Sequence, residues 1–144
     1  MEAIYIVNSV RIDELSNEAC SILYDSDVPC IIMEWHAYGT STQFRLISEN
    51  VLQLLIDKGL SKVVADTTNL PIIAAEDQRW VNEDWLPRAI EAGYHACGMV
   101  NSRFYFNRVA VENVVNRVKS DKFRVEYFDS QAAAKEWLKS LETN

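Results

Sequence analysis

The clearest pattern in the chain begins after Gly39, where Phe44, Ile47, Val51, Leu54 and Leu55 recur at steps of three and four. That spacing places apolar side chains on one face of an α-helix. Thr40 followed by Gln43 has the spacing of a capping box, and Gly59 stands where a left-handed C-terminal residue is wanted. Together they predict a helix from about 40 to 59. Before it, the chain reads as strands. "AIYIVNSVRI" is apolar and β-branched, and "ACSILYDSDVPCIIMEW" splits around the turn cluster Asp25-Ser26-Asp27. A hairpin joining about 19–25 with 29–36 follows.

Beyond Gly59 the order is a strand at 62–66, a helix at about 75–92, a strand at 95–100, a helix at about 104–119, a strand at 122–128 and a helix at about 130–141. Two of these readings contain a conflict. The valines of "RFYFNRVAVENVVNRVKS" favour a strand, but its polar pairs recur every four or five residues, and the helical period prevails. In "AEDQRWVNEDWLPRAIEAG", Pro87 removes a hydrogen bond to the carbonyl of Glu83, so the helix is expected to kink or restart there, with Trp85 as the hinge. Strands alternating with amphipathic helices imply βαβ units. The expected fold class is therefore α/β: antiparallel N-terminal strands lead into a mixed, mostly parallel sheet with four helices, in one domain spanning residues 1–144.

Composition narrows the classes of function. At 144 residues the chain buries about two-thirds of the surface its unfolded form exposes. A formal net charge of -7 offers no basic excess to displace counterions, which argues against nucleic acid as a primary partner. Arg103, Arg108, Arg117, Lys119, Lys122 and Arg124 still form a locally basic stretch. Cys20, Cys30 and Cys97 sit in apolar runs and read as reduced, packed thiols. No basic leader and no run of eighteen apolar residues is present, so neither a secretion signal nor a membrane span is expected, and a cytoplasmic location is the default.

Candidate chemistry is sparse. His36 and His95 lack a third ligand at recognisable spacing and read as satisfied edge-of-sheet histidines. His95 and Cys97 are two apart on one strand, too distant for direct proton transfer. With no glycine cradle for phosphates, Gly98 marks close packing by a helix. No cofactor and no catalytic set is expected. The stretch "VVADTTNLPIIAAEDQRW" is more informative, because Asp66, Thr67 and Thr68 fall at the carboxyl end of a strand, where open α/β sheets hold their ligands. Asp66 there either organises the loop or holds a phosphate or metal, and with no second acid nearby the structural task leads. Trp80 is either a lid folded over the loop or part of a contact surface.

The order of elements and "KVVADTTNLPIIAAEDQRWV", together with "HACGMV" and the closing "FRVEYFDSQAAAKEWL", resembles the STAS fold of bacterial anti-sigma-factor antagonists. The likeness is to the SpoIIAA-like branch, related in shape to Sec14 lipid-binding domains, and it covers most of the chain. In the sigma-regulating members, an aspartate at a strand end is followed by an Asp-Ser pair whose serine is phosphorylated. Asp66 matches that aspartate, but Ala74 and Ala75 occupy the pair, so the phospho-acceptor is missing. The resemblance implies a non-enzymatic regulatory module whose exposed surface around Asp66, Thr67, Thr68, Glu76, Asp77 and Trp80 binds a protein partner. Its alternative is a small apolar ligand or lipid, held between the sheet and the helix bearing Trp80 and Trp85. The N-terminal strands and the strand of Phe123, Val125 and Tyr127 offer edges through which a homodimer would form.

Overall fold

A computed structural model describes residues 9–104, 107–110, 112 and 122–141. Six strands form one mixed sheet in the order of the chain: β1 (Ser9–Arg11), β2 (Cys20–Asp25), β3 (Cys30–Trp35), β4 (Lys62–Asp66), β5 (Ala96–Val100) and β6 (Arg124–Phe128). β1, β2 and β3 pair antiparallel, with Cys20 opposite Trp35 and Asp25 opposite Cys30 in the hairpin. β3 through β6 run parallel. The hairpin and the mixed sheet are as the sequence predicts. The earlier part of the predicted first strand, and most of the predicted helix at 104–119, lie outside the described residues; 107–110 are helical.

The helix after β3 is α1 (Ser41–Lys58). The Thr40 hydroxyl accepts from the Gln43 N–H, the Gln43 side chain accepts from the Thr40 N–H, and Gly59 closes the helix at φ 63°. These contacts satisfy backbone groups that every helix end otherwise leaves unpaired. The predicted helix at 75–92 is one run in three parts: α2 (Ala75–Trp80), a π-helical turn (Val81–Trp85) and α3 (Leu86–Glu91). Pro87 does not break it. The N–H of Leu86 reaches back five residues to the carbonyl of Val81, and this wider turn precedes the proline, which has no N–H to offer. The extra residue also shifts the helical phase, so Trp85 and Leu86, adjacent in sequence, are both buried.

Because side chains alternate across a strand, the sheet has two packed faces. Ile31, Met33, Trp35, Val63, Ala65 and Cys97 pack on one of them against Phe44, Ile47, Val51 and Leu55 of α1 and Leu86 and Ala89 of α3. Cys30, Ile32, Val64, Ala96 and Val100 pack on the other against Ala134 and Leu138 of α4 (Gln131–Ser140). Burial on both faces explains why the parallel strands read as continuous apolar runs. No described helix is long and apolar enough to cross a membrane.

α4 lies close because of Gly98. A Cβ placed there would come 2.9 Å from Ala134 Cβ and 3.3 Å from the Ala134 backbone. Gly98→Ala should therefore cost about 1–3 kcal/mol of overpacking. The check is the urea midpoint; an unchanged midpoint would show that α4 yields freely.

Candidate functional site

At the carboxyl end of β4, Asp66 organises its own loop. One carboxylate oxygen accepts from the Thr68 N–H at 3.0 Å and the Thr68 hydroxyl at 2.7 Å, the geometry by which a short acid nucleates a turn. The other accepts from the Gln131 amide at 2.6 Å, and that amide also reaches Glu34 at 2.9 Å. Gln131 thereby ties the first turn of α4 to β3 and β4. Thr67 turns the opposite way, is buried, and donates its hydroxyl to the carbonyl of Val100 at 2.6 Å.

The other predicted site residues separate further. Glu76 is exposed, whereas Asp77 has no solvent exposure at all. The expected contact surface around Asp77 is therefore corrected: its carboxylate faces inward, accepting from the Tyr38 hydroxyl, from Ser41 Oγ at 2.7 Å and from Arg45 Nε at 2.8 Å. Ser41 and Arg45 lie in the first turns of α1 and Tyr38 just before it, so Asp77 joins α2 to α1. Burial pushes its carboxyl up, but the three donors and the Arg45 charge outweigh that and hold it below the usual carboxylate range. Burial and the same Asp77 push the Tyr38 phenol up to about 12.

Trp80 is half-buried, edge-on to Phe44 with ring centres 6.5 Å apart, and the Arg45 guanidinium sits 5.1 Å from its ring centre. Its packing is that of a lid over the core. The six residues thus do not form one surface: Asp66 holds Thr68 and Gln131, Thr67 borders the core, Asp77 and Trp80 lock two helices, and Glu76 meets solvent.

The histidines are satisfied as the sequence implies, His36 by Ser21 Oγ at 2.7 Å and His95 by the carbonyl of Lys122 at 3.1 Å. Cys20, Cys30 and Cys97 are free and buried. Burial pushes the Cys97 thiol up to about 11, so it stays protonated and is a poor nucleophile. Among the described residues no three His, Cys, Asp or Glu side chains are placed to share a metal ion.

Between the sheet and the α1/α3 layer lies a cavity of about 130 Å³. Met33, Ala65 and Cys97 form its floor, while Phe44, Trp85 and Leu86 contribute from the helices. Its aromatic walls are themselves coupled: Trp35 stacks on Phe44 at 5.3 Å, and Tyr94 stands edge-on to Trp85 at 5.9 Å and Phe123 at 4.7 Å. The few polar side chains on the lining donate to backbone carbonyls: Ser48 to Phe44, Thr67 to Val100 and Gln78 to Ile73. What remains facing the space is apolar. An engineered apolar cavity of about 150 Å³ in another protein stays dry and binds benzene, so this volume suits one small ring. Sequence reasoning anticipated the helix that borders the cavity but not the void, whose existence depends on how side chains from many segments fall short of one another. Compared with known proteins, the chain finds no matching family model, no matching curated protein and no matching solved structure.

Proposed function

We propose that the chain is a non-enzymatic STAS/SpoIIAA-like binding module that holds a small apolar molecule between its sheet and helices α1 and α3. The observation that carries this reading is the cavity of about 130 Å³, lined by aromatic, aliphatic and thioether groups. Apolar pockets with few polar groups are the usual form of small-molecule sites. The sequential strand order, with parallel β3 to β6 and a C-terminal helix on the opposite face, supports the STAS-like reading. Ala74 caps α2 and Ala75 begins it, where the regulatory members place their phospho-acceptor, so a ligand replaces phosphorylation as the signal. The volume favours a single ring over a full acyl chain.

Toluene at ten times its dissociation constant should stabilise the protein by about 1.4 kcal/mol, raising Tm by about 3–6 °C. Ala65→Leu, which fills the floor, should abolish the shift. A wild-type Tm indifferent to toluene rejects the proposal.

A second reading, regulatory binding of a protein partner in the cytoplasm, is favoured by Ile72, Phe104 and Val109. All three are exposed. Ile72 and Phe104 lie on loops and Val109 on the helical turn 107–110, and these segments are joined by the Arg103 N–H to the Thr68 carbonyl and by the Ile73 N–H to Asn107 Oδ1. If that reading holds, serine at Ile72 and Phe104 eliminates a partner captured in pull-down; undiminished capture by the double variant rejects this surface.

A further inference from the structure

A second, polar chamber adjoins the apolar cavity at the carboxyl ends of β4 to β6. Thr67 and Met99 line both spaces, and Asn101, Ser102, Arg108, Glu112 and Tyr127 complete the smaller one. Its volume, about 10 Å³, is that of roughly one water-sized atom. Met99 stands between the two spaces and, as an unbranched thioether, is the kind of partition a ligand can move.

The chamber contains a group with unmet bonding capacity. The Tyr127 hydroxyl is buried and has no hydrogen-bond partner among the described residues. A second such donor lies beside the cavity: Asn107 has no solvent exposure, and its amide nitrogen likewise has no partner among the described residues. Asn107 Oδ1 accepts from the N–H of Ile73, whose side chain lines the cavity, as does Ala110 one helical turn further on. Leaving a buried donor unmatched costs about 1–3 kcal/mol, so the site rewards a ligand that brings an acceptor.

We infer that the ligand is an uncharged ring compound carrying one small acceptor oxygen, its ring in the apolar cavity and its oxygen in the chamber against Tyr127. This rests on the apolar-ligand reading and names its ligand class. One oxygen fits the chamber, whereas a phosphate or sulfate does not. Neutrality follows from the walls, because Arg108 and Glu112 present opposite charges and favour neither ion. Burial, with Glu112 nearby, pushes the Tyr127 phenol up to about 12, so it remains a donor at neutral pH.

Calorimetric titration of wild type and Tyr127→Phe with ethylbenzene, acetophenone and benzoate tests this. Comparing one probe between two proteins cancels its own hydration. Tyr127→Phe removes a buried hydroxyl that no described residue satisfies, so the variant is expected to fold at least as stably as wild type. It should weaken acetophenone about tenfold and leave ethylbenzene unchanged, and benzoate should bind wild type more weakly than acetophenone does. Equal acetophenone affinities in the two proteins, or benzoate as the tightest probe, overturn the inference while ethylbenzene binding still upholds the cavity. If none of the three binds, the cavity reading falls with it.

Discussion

Replacing Asp77 by alanine is expected to lower the unfolding free energy by about 2–4 kcal/mol, measured by urea denaturation. The carboxylate is fully buried and serves three donors, Tyr38, Ser41 and Arg45, so its loss leaves the first two without their acceptor in a packed interface. Arg45 adds less, because its side chain is 40% exposed and water takes over part of its solvation. Asp77→Asn should retain part of the stability, since its amide oxygen still accepts. A loss below about 0.5 kcal/mol for the alanine variant would show that α2 and α1 do not depend on this junction. The same group gives the fold an acid limit. Its folded pKa lies below the unfolded value, so its contribution is complete above the ordinary carboxylate pKa of about 3.9 and is lost as pH falls through the folded value. Asp25 behaves in the same direction: burial opposes ionisation, but the N–H groups of Val28 and Asp27, with Lys135, prevail. Stability should therefore decline on acidification below about pH 4, and Asp77→Ala should flatten that decline.

Phe44→Ala should cost about 3–5 kcal/mol, the range for deleting a buried phenyl ring. Phe44 is 4% exposed and touches Trp35, Tyr38 and Trp80 through its ring. Because it also lines the cavity, the deletion enlarges that space. Part of the loss is then recoverable by mass action: a two-ring apolar molecule such as naphthalene should raise the variant's Tm more than the wild type's. Equal shifts in the two proteins would mean that the ligand and the missing ring occupy different places.

Local signals in the sequence carried over where their partners are local. The capping residues Thr40 and Gln43 and the terminal Gly59 need only four or five neighbouring residues to act, and the helix they bound is found where they put it. Gly98 was legible for a different reason: a glycine within an apolar strand has few uses other than close approach, and Ala134 supplies it. The turn made by Asp66 and Thr68 belongs with these. Asp77 was not legible. Next to Glu76 at a helix start it reads as part of an exposed binding surface, and its true partners lie more than thirty residues earlier. The π turn was half legible, since Pro87 announces a disturbance without saying whether a kink or a widened turn absorbs it. Trp80 shows the same limit. Its position near a strand-end loop is equally compatible with lid and contact surface, and Phe44 and Arg45, far off in sequence, determine which.

The central claim is that the cavity between the sheet and the α1/α3 layer takes up a small apolar molecule. Met33 and Met99 provide a direct report, because both line that cavity. Titration of methyl-labelled protein with toluene, followed by NMR, should move the Met33 and Met99 methyl signals together along one saturable curve. Signals that all stay fixed, or that drift together without saturating, would contradict it.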